Sequence, residues 1–173
     1  MNHDAYSDAY ISGILSRYRT IAMVGASANQ SRPSYFAMKY LKQKGFRVIP
    51  VNPGQAGKEI LGERVYGSLA EIEQPVDIVD IFRSSKAALD ITREAIKLGA
   101  KVVWMQLGVR NDEAARLAEE AGLQVVMNRC PKIEYGRLSG ELGWAGVNSR
   151  RISARRPLLG PKGVQHRVIT RAD

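Results

Sequence analysis

Three times along the chain a helical stretch ends in a glycine and runs directly into an apolar segment: KGFRVIPV over 44–51, LGAKVVWMQL over 98–107 and AGLQVVM over 121–127. A glycine just past the last helical turn is a common helix stop. A short apolar run rich in β-branched residues after it reads as a strand. Helix-stop-strand, repeated, implies βαβ crossovers. Strands apolar on both faces imply a parallel sheet with helices on either side.

The remaining elements fall into this rhythm. The first strand is expected over Thr20–Val24, and a helix over Pro33–Lys44, with proline in its first turn and Gly45 as its stop. The second strand is Phe46–Val51, and the third is the nearly continuous apolar run Val76–Phe82. A helix over Ser85–Leu98 stops at Gly99, and the fourth strand is Lys101–Leu107. Asn111 or Asp112 can cap a helix that reaches Ala121, and the fifth strand is Leu123–Met127. Between the second and third strands, residues 54–67 are glycine-rich and read as a loop with a short extended piece, and Ser68–Glu71 matches a capping box. Upstream, Tyr10, Ile11, Ile14, Leu15 and Tyr18 share one face of a helix expected over Asp4–Tyr18. The expected fold is therefore α/β: a Rossmann-like, doubly wound parallel sheet of about five strands, ordered 3-2-1-4-5, with an extra N-terminal helix. The domain is expected over 1–138, followed by a basic C-terminal extension over 139–173.

Ligands of such sheets bind at the C-terminal ends of the strands. Here that edge carries Gly25, Ala26 and Ser27; Asn52 and Pro53; Phe82, Arg83 and Ser84; Gln106, Leu107, Gly108 and Val109; and Asn128 to Pro131. It is rich in small, amide, hydroxyl and guanidinium groups, with no histidine and no carboxylate. Gly25 opens a tight strand-to-helix turn of the kind that cradles phosphate. The dinucleotide fingerprint G-x-G-x-x-G is not met, because Ser27 and Gln30 stand at its later glycine positions. Ser27, Ser31 and Arg32 would then supply anion contacts in place of bare backbone. The acidic residue that clamps a nicotinamide dinucleotide's ribose is also missing, its place being taken by Asn52. Arg83 and Ser84 read either as a helix start with a solvated arginine or as neighbours of a phosphate or adenine. At the end of the fourth strand, Gly108 beside Gln106 would suit close backbone contact with a ligand.

The catalytic inventory is thin. The two histidines, His3 and His166, lie in terminal segments, so neither Cys130 nor any serine has a base near it in sequence. Cys130 reads as a structural Cys-Pro turn or as a thiol that meets a thiol ligand. Asp80, within the third strand, reads as a capping or pairing group, and Trp104 as core. No group of His, Cys, Asp and Glu has metal-ligand spacing, and one cysteine permits no internal disulfide. There is no secretory signal pattern and no apolar run near the ~20 residues of a membrane span, so a cytoplasmic protein is expected. The net charge of +9 divides as +3 over 1–136 (18 basic, 15 acidic) and +6 over 137–173 (8 basic, 2 acidic). The tail lacks the aromatic interleaving of a single-strand binder and reads first as a solvated end, which makes a nucleic-acid partner the weaker reading.

The series VGAS…SRPSY, FRVIPVNP, GERVYGSL, VDIVDIFRSS, WMQLGV and MNRCPKIEYGRL resembles the small stand-alone coenzyme A-binding proteins, relatives of the N-terminal domain of the succinyl-CoA synthetase α subunit. The resemblance spans about residues 12–152. It implies a coenzyme A nucleotide along the strand ends, with Gly25, Ala26, Ser27, Ser31 and Arg32 at the phosphates. It puts Asn52, Pro53 and Tyr66 on the adenosine side and Phe82, Arg83 and Ser84 beside the nucleotide. Gln106, Gly108 and Val109 would lie nearer the pantetheine arm, with Cys130 and Pro131 close by. In the synthetase a phosphorylated histidine acts from a second domain, so the ligase activity is not expected here. Many members have histidine where this chain has Tyr135. The reading is thus a non-catalytic binder of coenzyme A or acyl-CoA, free to present it to a protein partner. The alternatives are an NAD(P)-dependent oxidoreductase and a nucleic-acid-associated protein using the basic tail.

Overall fold

The computed structural model describes residues 1–139. The expectation for a basic extension lies, beyond Ser139, outside the described residues. Five parallel strands form the main sheet: β1 (Thr20–Val24), β2 (Arg47–Val51), β5 (Ile78–Ile81), β6 (Val102–Met105) and β7 (Gln124–Val126). A small antiparallel ribbon, β3 (Glu59–Ile60) and β4 (Glu63–Arg64), interrupts the 54–67 loop. The helices are α1 (Asp8–Arg17), α2 (Pro33–Gln43), α3 (Ser85–Leu98), α4 (Asp112–Glu120) and α5 (Pro131–Leu138).

Successive strand residues point to opposite faces, and both faces are apolar. Ala22, Ile49, Val79, Val103 and Val125 pack under Ala88, Ile91 and Ala95 of α3 and Ala114, Ala115 and Ala118 of α4. Ile21, Met23, Val48, Ile78, Trp104 and Val126 pack under Ile11, Ile14 and Leu15 of α1 and Ala37, Met38 and Leu41 of α2. The helix stops at Gly45, Gly99 and Gly122 are all left-handed, as the sequence pattern requires.

The strand order differs from expectation. The sheet runs β2-β1-β5-β6-β7, which is 2-1-3-4-5 in the five-strand count rather than 3-2-1-4-5. Pro50 gives a physical reason. It lacks an N–H, so it belongs on an edge strand, and the expected order would have placed it inside the sheet. In the structure Pro50 is on β2, the edge, and its carbonyl accepts from Tyr66 N (2.9 Å) rather than from β1. A residue's N–H and C=O face the same side of a strand, so the missing donor also faces the outer edge, away from β1. The chain therefore crosses β1 between β2 and β5, and the winding reverses between β1 and β5.

Two local expectations also change. The first helix begins at Asp8 rather than Asp4, because Ser7 caps it, its Oγ accepting from Tyr10 N at 3.2 Å. The capping box at Ser68 is not closed, since the Glu71 carboxylate accepts from Gly67 N (2.9 Å) and Ser68 makes no cap bond to the backbone. Asn111 does cap α4, with Oδ1 accepting from Ala114 N at 2.8 Å.

Candidate functional site

The reversal between β1 and β5 opens a crevice at the strand C-termini, the place where α/β sheets of this winding take ligands. A cleft of about 910 Å³ lies there, within the size range of small-ligand sites. Gly25 ends β1 at one wall, and Phe82 and Arg83 leave β5 at the other. Gly25 has φ +93°, and a Cβ there would run into the Phe82 carbonyl oxygen and lie 2.9 Å from Arg83 Cδ. The glycine is thus required by the approach of the two strand ends, before any ligand is considered.

The loop that follows is held by its own polar groups. Ser27 Oγ accepts from Asn29 N (3.2 Å), and Asn29 Oδ1 accepts from both Ser31 N (2.9 Å) and Ser31 Oγ (2.7 Å). Two groups anchor it to the end of β2: Asn52 Nδ2 donates to Ala26 O (2.7 Å), and Gln55 Oε1 accepts from Ala28 N (3.0 Å). Asn52 thus occupies the place of a ribose-clamping acid while acting as a bracket between two loops.

The electrostatics of the cleft favour an anion. The helices α2 and α5 both begin at its wall with proline at the first position, and neither has a side-chain cap at its start. Helix starts carry free N–H groups and partial positive charge. Arg32, Arg83 and Lys132 line the same cleft, and no ion pair holds any of them among the described residues. The neighbouring arginines differ: Arg110 is bound to Asp4 (2.6 Å) and Arg137 to Glu134 (2.7 Å).

Beneath the cleft lies a carboxyl group absent from the list of edge residues. Asp80 is wholly buried on β5, and Gln106 Nε2 donates to its two oxygens at 2.9 and 3.1 Å. Burial pushes the Asp80 pKa up to about 7, against a smaller lowering by the Gln106 bond. Cys130 also lines the cleft, where burial raises the pKa of its thiol against smaller opposing backbone contacts. A thiol held in its protonated form is a poor nucleophile.

Of the residues singled out from sequence, Gly25, Ser27, Ser31, Arg32, Asn52, Phe82, Arg83, Gln106, Val109 and Cys130 come together on this one lining. Six others do not line it. Ala26 is buried beneath the loop. Pro53 starts a short 3-10 turn, and Tyr66 pairs its backbone with the outer edge of β2. Ser84 caps α3, and Pro131 is the buried first residue of α5. Gly108 is a left-handed turn residue whose N–H donates to Asn128 Oδ1 (2.9 Å). The edge residue Leu107 also lines it, and the lining holds residues not read from sequence, among them Ser34, Phe36, Lys132 and Ile133. Lys132 and Ile133 escaped notice because α5 is only 8 residues long and weakly amphipathic. The signal that could have found them is Pro131 at a helix start, with Glu134 and Arg137 one turn apart.

The topology and its crevice define a Rossmann-like α/β domain. A family model described as a CoA binding domain matches residues 19–136, and the chain belongs to that family. It is 38% identical over 129 residues to the uncharacterized protein YneT of Bacillus subtilis, covering 75% of this chain and 94% of YneT. A hypothetical protein from Pyrococcus horikoshii has a solved structure that aligns with a TM-score of 0.76 at 43% identity, covering 81% of this chain and 97% of that one. More distantly, an ADP-forming acetate–CoA ligase of Methanocaldococcus jannaschii is 29% identical over 87 residues, 50% of this chain but only 12% of the ligase. The relation therefore reaches one part of the synthetase-like ligases and not their whole length. No helix among the described residues is long and apolar enough to cross a membrane.

Proposed function

We propose that the cleft binds coenzyme A or an acyl-CoA, and that the chain holds this ligand for a partner protein without chemistry of its own. The observation that carries the reading is the set of Arg32, Arg83 and Lys132, free of ion pairs among the described residues, around a glycine turn and two helix starts. Coenzyme A brings a diphosphate and a 3′-phosphate to such a surface, and the family membership points to the same ligand. The diphosphate would lie against Gly25, Ala26, Ser27, Ser31 and Arg32. Asn52 would flank the adenosine, and Phe82 and Arg83 the rest of the nucleotide. The pantetheine arm would run past Gln106 and Val109 towards Cys130, with Leu107 and Ile133 adding apolar surface. The raised thiol pKa of Cys130 supports binding over nucleophilic chemistry.

Titration calorimetry of the full chain against coenzyme A, acetyl-CoA, NAD and NADP tests the reading. Coenzyme A or acetyl-CoA should bind. Arg32→Ala should weaken binding about tenfold or more, as expected for loss of a charge-assisted bond to phosphate. A response to NAD or NADP with none to either CoA would overturn the reading.

A further inference from the structure

Gln106 sits where β6 runs out into the cleft, and the residue is 5% exposed. Its amide nitrogen donates to Asp80, while no described residue bonds to its Oε1. An ionised carboxylate can only accept, so it holds the amide nitrogen inward and leaves the oxygen as the group a ligand meets. We infer that Asp80 is a positioning residue: it fixes the Gln106 amide so that this point of the cleft selects a hydrogen-bond donor, an amide N–H of a pantetheine arm, over an acceptor. The inference rests on the reading of the cleft as a coenzyme A site.

Protonation of Asp80 alters the selection. A neutral carboxyl has an O–H of its own to give to Oε1, so the amide is free to turn and present nitrogen to the ligand. The groups around Asp80 leave this balance to burial. Its register neighbours on the sheet are Met23 and Trp104, neither titratable. On the same face α2 buries Ser34, Ala37 and Met38, its Lys42 being tied to Glu63 at 2.6 Å. From the start of α5, the Cys130 thiol meets the charge of Asp80, and Glu134 is held by Arg137 (2.7 Å) and Arg129 (3.8 Å).

The test compares coenzyme A with adenosine 3′-phosphate 5′-diphosphate, the same nucleotide without the pantetheine arm. Both are titrated calorimetrically into the full chain at about pH 6 and about pH 8. At the higher pH, Asp80→Asn should weaken coenzyme A about tenfold, one buried hydrogen bond, and leave the nucleotide unchanged. The wild type should lose coenzyme A affinity towards pH 6 relative to Asp80→Asn, whose profile lacks that component. Gln106→Leu, which removes the amide itself and takes from Asp80 the hydrogen bond that favours its charged form, should show the same selective loss of coenzyme A. Unchanged coenzyme A affinity in Gln106→Leu, or an equal loss of both ligands in Asp80→Asn, would overturn the inference while leaving the cleft as the site. Failure of the wild type to bind either ligand would overturn both.

Discussion

A methyl group at Gly25 would meet the Phe82 carbonyl, and the backbone there sits at φ +93°, where side chains are strained. Gly25→Ala should therefore cost about 2–4 kcal/mol, strain and overpacking together, read as a lower denaturant midpoint. A loss within ~0.5 kcal/mol would mean that the two strand ends do not approach as described. Asp80 makes a prediction of different form. Its folded pKa stands at about 7 against an ordinary 3.8, so between those values the native state keeps a proton the unfolded chain has released. The stability from this group is fully present below the unfolded value and is lost as pH rises through about 7, on the order of 4 kcal/mol in all. Asp80→Asn can either accept from or donate to Gln106 and has no charge to bury. It should be more stable than wild type at about pH 8, the gap closing towards pH 4, as read by thermal melts across that range. Parallel pH profiles for the two proteins would contradict the assignment.

At the scale of elements, the exposed edge of β7 is closed by two tyrosines from the N-terminal segment. Tyr10 Oη accepts from Val125 N (3.1 Å) and donates to Val125 O (3.2 Å), and Tyr6 Oη accepts from Met127 N (2.8 Å). Unpaired strand edges invite association with other chains, and the hydroxyls blunt this one. Tyr10→Phe strands both polar groups of Val125 and should cost about 1–3 kcal/mol by chemical denaturation. An unchanged midpoint would show that water replaces the hydroxyl without loss. The strands and the long helices were legible because their stops, Gly45, Gly99 and Gly122, sit between apolar runs of clear period. Strand order was not legible from periodicity, which says which residues face a core and nothing of which strand lies beside which. Pro50 carried that information, and it placed the second strand at an edge. The helix α5 was missed because its 8 residues begin at a Cys-Pro pair that reads equally well as a turn.

Over the whole molecule, the order β2-β1-β5-β6-β7 brings the end of the first strand beside the end of the third, so Gly25, Arg32 and Arg83 share one cleft. The sequence was enough to nominate these residues, because strand ends in a parallel sheet must share an edge. It could not show that Asp80 lies directly under Gln106, since the two are 26 residues apart and meet only through strand pairing. Nor could it show that Tyr66 and Pro53 stand off the cleft lining. A ligand that binds only the folded chain stabilises it by mass action, about 2.7 kcal/mol at a hundredfold excess over its Kd. Coenzyme A should accordingly raise the melting temperature by roughly 5–10 °C, and NAD should leave it unchanged. The reverse order of effects would favour a dinucleotide. The most direct measurement is a crystal structure of the full chain grown with coenzyme A. The diphosphate is expected at the Gly25 turn against Arg32, and the thiol end beside Cys130. Coenzyme A seated away from the β1–β5 crevice would contradict this placement.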